Sequence, residues 1–281
     1  MQSVTFLEKP SEEFAQREAI KNFRTNVQFC GADVRVIMLT STFPSEGKSS
    51  TSMSLARSFA ELGKRTIYVD CDLRKSVVIS KFSADSKVFG LTHFLTGMQS
   101  LENCICETDV KNLHVLFSGA YPPNPVELFN TKRFSAMLNA LREHYDYVII
   151  DTPPMANVTD AAVLSQYCDG AIFVISQGNV KYHLAQKMLE QLGRSGCKIL
   201  GVALNKVDFK QNYLQKSYYG RYYGKKYSRY GYGYGYGEEN QHKKGETHHQ
   251  KNESSRKKSD SVSDVKENAE AVEEKIEETE V

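Results

Sequence analysis

Short runs of apolar, often β-branched residues recur along the first two hundred residues and alternate with stretches of helical periodicity. Helices are predicted near residues 48–62, 132–144, 159–167 and 182–195, and an amphipathic helix over 11–29 opens the fold. Near-continuous apolar strands separated by helices indicate an α/β fold, with a mostly parallel sheet flanked by helices on both faces. The strand-like runs read VRVIML, RTIYVD, LHVLFS, YVIID, AIFVIS and ILGVALN.

The periodicity disappears after residue 209, and the composition then changes twice. Residues 210–237 consist mainly of Tyr, Gly and basic residues, with six Lys and Arg and no acid. Residues 238–281 carry 8 Lys+Arg against 13 Asp+Glu, a net charge of −5, whereas the rest of the chain carries 28 against 21, a net charge of +7. We therefore expect a folded domain over 1–209, a basic tyrosine cluster over 210–237 and a disordered charged tail over 238–281.

The sequence predicts a cytoplasmic protein. No apolar run reaches the 18 residues that a membrane-spanning helix needs. The first residues, MQSVTFLEKP, lack the basic and then apolar pattern of a signal peptide. The six cysteines show neither disulfide nor zinc-site spacing.

The segment STFPSEGKSST, residues 41–51, follows the first predicted strand and leads into a helix. Free N–H groups and the helix dipole favour anions at such a position, which is the context of a phosphate-binding loop. Thr42 stands where the usual motif has its first glycine. The sequence predicts that the nucleotide phosphates contact Glu46, Gly47, Lys48, Ser49 and Ser50.

Three acidic residues follow predicted strands. Asp70 and Asp72 end the run TIYVDCD, and Asp151 ends the run YVIID. Ligands bind at the carboxyl ends of the strands in open α/β sheets, so these carboxylates are expected beside the phosphate-binding loop. Together with the Ser49 hydroxyl, Asp72 and Asp151 predict a site for Mg²⁺ and a nucleotide.

These motifs are similar to those of the bacterial tyrosine kinases, or BY-kinases. The strand with DCDLR resembles their Walker A′ motif, VIIDTPP resembles their Walker B motif, and PPNPVELF, residues 122–129, resembles a further stretch common to the family. From about residue 11 to 237 the chain resembles the soluble capsule and exopolysaccharide autokinases of Gram-positive bacteria. The resemblance implies a P-loop NTPase-like fold, ATP and Mg²⁺ as cofactors, and a role in polysaccharide biosynthesis and export.

The resemblance also implies roles for individual residues. Lys48 and Asp70 would be catalytic, with Asp70 orienting or deprotonating the incoming tyrosine hydroxyl. Ser76 stands where the family often has proline, a replacement expected to be without consequence. The substrate would be the chain's own cluster, modified in trans between subunits. The expected phosphotyrosines are Tyr218, Tyr219, Tyr222, Tyr223, Tyr227, Tyr230, Tyr232, Tyr234 and Tyr236.

Several partners follow from the same resemblance. Glu18, Lys21 and Arg24 stand where the family has a Glu-x-x-Arg-x-x-Arg motif for subunit contacts, which predicts a ring-like homo-oligomer. On the residues alone, these three also fit an ordinary solvated helix face. A membrane-anchored activator that regulates polysaccharide chain length would recruit the kinase to the inner face of the membrane, and a cognate tyrosine phosphatase would reverse the modification.

Three alternatives stay open at this stage. Asn205 begins NKVD, which matches the guanine-reading motif of GTPases, so it is predicted near the base, and GTP competes with ATP as the ligand. Partitioning and cell-division ATPases of the MinD and ParA type share the fold, but their signature lysine is replaced by Phe43. A basic, aromatic tail also suits nucleic acid or a membrane partner, although beside a kinase site nucleic acid is not the expected partner.

Overall fold

The computed structural model describes residues 2–7, 14–84, 87–156 and 159–207. The strands of this part of the chain are β1 (Gln2–Phe6), β2 (Val36–Ser41), β3 (Thr66–Asp70), β4 (Phe82–Ala84), β5 (Ile105–Thr108), β6 (Leu113–Leu116), β7 (Tyr147–Asp151), β8 (Gly170–Ser176) and β9 (Ile199–Asn205). The α-helices are α1 (Phe14–Gln28), α2 (Lys48–Glu61), α3 (Leu91–Leu95), α4 (Leu101–Cys104), α5 (Pro125–Phe129), α6 (Lys132–His144), α7 (Asp160–Leu164) and α8 (Tyr182–Arg194). Two 3₁₀ helices cover Val78–Lys81 and Ser165–Tyr167.

The described strands form one sheet in the order β4-β1-β5-β6-β3-β7-β2-β8-β9. From β6 to β9 all neighbours are parallel. Beyond β6 the sheet is mixed, because β5 runs antiparallel to β6, β1 parallel to β5, and β4 antiparallel to β1. The predicted mostly parallel α/β sheet is thus confirmed, with a mixed extension on one side.

Both faces of the sheet are buried, which explains the near-continuous apolar runs. In β2, Val36 and Met38 join the core on one face, while Ile37 and Leu39 join the core on the other. Side chains alternate between the faces of a strand, so a strand covered on both sides needs apolar residues throughout. Helices α1 and α2 cover one face, and α6 and α8 contribute to the core on the opposite face.

The long helices lie where the periodicity predicts them, whereas several short elements were not predicted. Strands β1, β4 and β5 are 5, 3 and 4 residues long and add the mixed part of the sheet. The opening helix is described from Phe14, and residues 11–13 of its predicted range lie outside the described residues. The predicted regions 210–237 and 238–281 also lie outside them. None of the described helices has the length and apolar character needed to cross a bilayer.

The parallel topology gathers the predicted site residues at one edge of the sheet. The phosphate-binding loop follows β2, Asp70 is the last residue of β3, and Asp151 is the last residue of β7. These three strands are neighbours in the order β3-β7-β2. Their carboxyl ends therefore meet at a single place, as expected for ligand sites in open α/β sheets.

Asp169 fastens the amino ends of two central strands. It directly precedes β8, and its Oδ2 accepts hydrogen bonds at 2.8 Å from the backbone N–H groups of Arg35 and Val36 at the start of β2. Its Oδ1 accepts a bond at 2.6 Å from Nη1 of Arg142 on α6. The carboxylate thus holds β2, β8 and α6 together.

Replacing this carboxylate should destabilise the whole domain. For Asp169→Ala we expect the free energy of unfolding to fall by about 2–4 kcal/mol, because two N–H groups lose a charged acceptor. The ion pair with Arg142 should contribute little to this loss of stability, because the Arg142 side chain is 35% exposed. Urea denaturation followed by circular dichroism measures the change. Glu61→Ala, which removes an exposed pair with Arg57 within α2, is the control and should cost about 0.5 kcal/mol or less; equal losses in both variants would contradict the role given to Asp169.

Candidate active site

The loop between β2 and α2 requires glycine at position 47. Gly47 directly precedes α2 and has a φ of 86°, in the left-handed region that residues with a Cβ rarely adopt. A Cβ at Gly47 would also lie 2.0 Å from Nδ2 of Asn205. Thr42, which replaces the first glycine of the usual motif, is not among the residues with positive φ. A residue with a Cβ can therefore occupy this position.

Glu46 stabilises the loop with its side chain, a role that the sequence interpretation missed. The residue is 1% exposed. Its Oε2 accepts a hydrogen bond from the backbone N–H of Phe43 at 2.8 Å, and its Oε1 accepts one from the N–H of Ser176 at 3.3 Å. The carboxylate therefore ties the loop to the end of β8. The sequence did contain a signal for this role, because an acidic residue within a loop predicted to bind anionic phosphates needs a structural explanation.

Asp151 is completely buried and accepts three side-chain hydrogen bonds. Its Oδ1 accepts from Nζ of Lys48 at 2.7 Å and from Oγ of Ser52 at 3.1 Å, and its Oδ2 accepts from Oη of Tyr68 at 2.9 Å. Burial, followed by the nearby carboxylates, raises the pKa of Tyr68 well above its ordinary value, so the phenol remains a donor. Both oxygens of Asp151 are thus engaged by protein groups, and its role at a metal, directly or through water, stays a prediction.

Asp70 lies opposite Asp151, because the two residues are paired in the parallel register of β3 and β7. Asp70 is also completely buried. Burial raises its pKa to about 7, the charge of Asp151 adds to the increase, and hydrogen bonding and the charge of Lys48 oppose it. A carboxylate with such a pKa can accept a proton near neutral pH.

Ser76 contacts the predicted catalytic carboxylate, so the expectation that this replacement is without consequence needs correction. Its hydroxyl donates a hydrogen bond to Oδ2 of Asp70. The hydroxyl oxygen of Ser76 in turn accepts a bond from the backbone N–H of Val78 at 3.2 Å, at the start of the 3₁₀ helix. The N–H of Asp72 donates to the other carboxylate oxygen of Asp70 at 3.1 Å. A proline at position 76 could not provide the hydroxyl.

Arg74 forms a second contact that sequence reasoning missed. Its Nε and Nη2 donate to the two carboxylate oxygens of Asp160 at 2.8 and 3.0 Å. Asp160 is the first residue of α7 and is completely buried. This bidentate pair fixes the segment after β3 that carries Asp72.

A cavity of about 600 Å³ lies at this edge of the sheet. Ser49 and Asp72 line it, and they supply the hydroxyl and carboxylate oxygens that Mg²⁺ prefers. Among the described residues, no group of three His, Cys, Asp or Glu side chains is arranged to hold a metal ion. Mg²⁺ is commonly held by one or two carboxylates together with the phosphates of the substrate. The wall is formed by Ser41, Phe43, Pro44, Ser45, Glu46, Gly47, Lys48, Ser49, Ser50, Asp72, Arg74, Lys75, Val77, Lys81, Pro153, Pro154 and Lys206.

The remaining predicted residues are placed as follows. Asn205 donates from its side-chain amide to the carbonyl of Glu46 at 2.9 Å, and it is absent from the described wall of the cavity. Glu18 and Lys21 form an exposed pair within α1 at 2.9 Å. Arg24 donates to the carbonyl and hydroxyl oxygens of Ser58 on α2, at 2.9 and 3.1 Å. The nine predicted phosphotyrosines lie outside the described residues.

Comparison with known proteins identifies a matching family model and several relatives. The family model described as an AAA domain matches residues 34–202. The chain is 43% identical over 188 residues to the tyrosine-protein kinase CpsD of Streptococcus pneumoniae serotype 4, a match that covers 67% of this chain and 83% of that protein. Among solved structures, the chimerical protein CapA2B2 matches with a TM-score of 0.67 and 33% identity, over 71% of this chain and 88% of that one.

The fold is shared more widely. The septum site-determining protein MinD of Pyrococcus horikoshii, solved with Mg-ADP, matches with a TM-score of 0.51 and 26% identity, over 60% of this chain and 69% of that one. The predicted P-loop NTPase-like architecture is thereby confirmed. The sequence identity to the kinases is higher than the identity to MinD.

The buried Asp70 carboxylate should make stability depend on pH. Since its pKa rises from an ordinary 3.8 to about 7 on folding, the ionised form costs stability above pH 7, and the cost disappears as the pH falls towards 4. The free energy of unfolding of Asp70→Asn, relative to that of wild type, should therefore increase as the pH rises from 4.5 to 8, by up to about 4 kcal/mol. Denaturant unfolding with chelator and without nucleotide measures this difference.

The matched control for this measurement is Asp33→Asn, which changes an exposed carboxylate on the loop before β2. Its stability difference from wild type should not change in this way with pH. If the Asp70→Asn difference is equally independent of pH, the buried carboxylate is not the group that titrates.

Proposed function

The chain belongs to the family of bacterial tyrosine-protein kinases, and on this premise we propose that it transfers the γ-phosphoryl group of ATP to tyrosines of residues 210–237 on a neighbouring subunit. The observation that carries the proposal is the position of Asp70, which is paired with Asp151 and lies two residues before Asp72, a residue of the same cavity wall as Lys48. The pairing supports Asp70 as the proton acceptor that tyrosine phosphorylation requires.

Nucleotide binding would use the loop and the start of α2. The N–H groups of residues 46–50 and the Lys48 amine are the donors for the phosphates. When bound, Mg²⁺ would supply positive charge that offsets the negative charge of the phosphates. Ser49 and Asp72 are the residues that would hold it, with Asp151 behind them.

In this scheme the Lys48 amine can donate hydrogen bonds to two anionic acceptors. Its amine is 2.7 Å from Oδ1 of Asp151, and a bound triphosphate offers it a second anionic partner. Because Ser52 and Tyr68 also donate to Asp151, the carboxylate keeps two donors if the lysine moves towards the phosphates. The lysine can therefore shift without leaving a buried charge wholly unsatisfied.

In the transfer step the protein supplies positioning, charge stabilisation and one proton acceptor. The bond between the tyrosine oxygen and the γ-phosphorus forms while the bond from that phosphorus to the departing ADP oxygen breaks. The proton of the phenol passes to Asp70. Its raised pKa, about 7, suits this role, because a base of much lower pKa would hold the proton poorly.

Charge supports a fixed order of binding. Lys75, Lys81 and Lys206 line the cavity, and none of them has an acidic partner among the residues that the structure describes. A substrate segment with six basic residues and no acid is repelled by such a wall until a triphosphate reverses the local charge. We therefore place nucleotide binding before tyrosine binding.

The tether between the cavity and the cluster supports transfer between subunits. Lys206 lines the cavity, and Tyr218 follows it by 12 residues, which span at most about 40 Å when extended. So short a tether restricts which tyrosines can turn back into their own cavity. A neighbour in a ring-like homo-oligomer, with Glu18, Lys21 and Arg24 at the subunit contact, would present its cluster more freely.

The cellular role is proposed from the family. The relatives are capsule-type kinases, and the chain would regulate capsular or extracellular polysaccharide biosynthesis and export. A membrane-anchored activator would recruit it to the inner face of the membrane, and a cognate tyrosine phosphatase would reverse the modification. A MinD- or ParA-like ATPase is the competing function. It is disfavoured because Phe43, which lines the cavity, occupies the place of its signature lysine.

Phosphotyrosine should appear on purified protein after Mg-ATP is added. Lys48→Met should lower the rate at least 100-fold, because the phosphates lose their charged donor, and Asp70→Asn should lower it by about 10²–10⁴-fold. Quantitative mass spectrometry of residues 210–237 measures both rates. Lys198→Met, which removes a charge just before β9 and a bond to the carbonyl of Cys30, is the control for charge removal away from the cavity and from the proposed subunit contact. Wild-type protein that hydrolyses ATP and gains no phosphotyrosine would instead be an ATPase.

Transfer in trans can be separated from transfer in cis by mixing. A chain with the nine tyrosines changed to Phe supplies an active site, and Lys48→Met supplies the tyrosines. We expect phosphotyrosine on the Lys48→Met chain only in the mixture, and a mixture without modification would mean transfer in cis. Each phosphate adds about −1.5 to −2 charges, and this added charge would loosen the ring-like homo-oligomer. The phosphorylated wild type should therefore have a smaller mass in light scattering than the nine-Phe chain treated identically.

A further inference from the structure

We propose that Asn205 and Lys206, the first two residues of the NKVD motif, are positioning residues that aim the backbone N–H groups of the phosphate-binding loop at the nucleotide. This inference rests on the proposed nucleotide binding and gives the motif a task other than reading a base. The pair lies where β9 ends, next to the loop.

Two hydrogen bonds connect the end of β9 to consecutive carbonyl groups of the loop. Lys206 Nζ donates to the carbonyl oxygen of Ser45 at 2.6 Å, and Asn205 Nδ2 donates to the carbonyl oxygen of Glu46 at 2.9 Å. Asn205 is fixed in turn, because its own carbonyl accepts a bond from the N–H of Gln177 at 2.9 Å. The loop, β8 and β9 are thus joined at one point.

The orientation of the N–H groups follows from these bonds. In a planar trans peptide, the C=O of one residue and the N–H of the next point in opposite directions. Directing the carbonyls of Ser45 and Glu46 to β9 therefore turns the N–H groups of Glu46 and Gly47 away from β9. Ser45, Glu46 and Gly47 all line the cavity, and consecutive N–H groups beside left-handed residues form an anion-binding concavity.

The backbone is unfavourable at both ends of this connection. Ser45 has a φ of 65° and Lys206 a φ of 55°, and residues with a Cβ rarely adopt the left-handed region. Such conformations persist only where surrounding contacts impose them, and they cluster at functional sites. The bond between Lys206 and Ser45 joins these two residues directly, so the strain and the contact coincide.

The side chain of Asn205 is poorly placed to read a base. One of its two amide N–H donors is used by the Glu46 carbonyl, and Asn205 is absent from the described wall of the cavity. It also fills the space beside Gly47, where an added Cβ would lie 2.0 Å from Nδ2. The residue therefore contacts the loop and would act through it.

Ligands with and without a base separate the two roles. We would measure the dissociation constants of inorganic tripolyphosphate, ATP and GTP, each with Mg²⁺, by isothermal titration calorimetry. Asn205→Ala and Lys206→Met should each weaken the binding of all three ligands by about tenfold, because the loop loses a partly buried or a charged hydrogen bond. Lys206→Arg, which keeps a donor, should restore most of the affinity. Asn205→Ala is informative because it changes no charge and does not touch the cavity.

Lys198→Met is the matched control. Lys198 lies at the opposite end of β9 and donates to the carbonyl of Cys30 at 3.0 Å, so the change removes the same charge and the same kind of bond. All three dissociation constants should stay at their wild-type values. Thermal unfolding without ligand should give midpoints within a few degrees of wild type for the two test variants, which shows that the loss concerns binding.

Other outcomes overturn the inference in distinguishable ways. If Asn205→Ala changes the ratio of ATP to GTP affinity and leaves tripolyphosphate unchanged, Asn205 reads the base. If only Lys206→Met weakens binding, this lysine contacts the phosphates directly. Variants that bind all three ligands as tightly as wild type overturn the positioning role alone. A wild-type protein that binds none of the three overturns the proposed function itself.

Discussion

Two carboxylates, Asp70 and Asp151, lie buried opposite each other at the ends of neighbouring parallel strands, and much of the site is arranged around their charge. Burying two acids together is costly unless donors surround them. Asp151 accepts hydrogen bonds from Lys48, Ser52 and Tyr68. Asp70 accepts hydrogen bonds from Ser76 and from the backbone N–H of Asp72. The lysine that phosphate binding needs is therefore also the cation that makes the carboxylate pair tolerable, so function and stability share one side chain.

The main sheet could be predicted because its strands are covered on both faces. Six apolar runs predict β2, β3, β6, β7, β8 and β9, and helical periodicity predicts α2, α6 and α8. The short strands β1, β4 and β5 could not be recognised, because sequences such as QSVTF and ICET have no distinctive pattern. Their extended form depends on pairing with neighbours far away in the chain, which local propensity does not record.

The candidate site could be predicted in its residue types and less well in its contacts. Position after a strand or before a helix was enough to select Lys48, Asp70, Asp72 and Asp151. The side-chain role of Glu46, the bond from Ser76 to Asp70 and the pair between Arg74 and Asp160 depend on partners brought together by folding. Arg74 and Asp160, for example, are 86 residues apart in the sequence, a distance over which spacing carries no information.

The placement of β1 has a practical consequence for shortening the protein. Because β1 pairs with β4 on one side and with β5 on the other, its residues are interior to the sheet although they come first in the sequence. A truncation that begins at α1 would remove Val4 from the core and leave β5 with an unpaired edge. Exposed strand edges promote association between molecules, so aggregation of such a shortened protein would reflect a missing strand and not a property of the kinase domain.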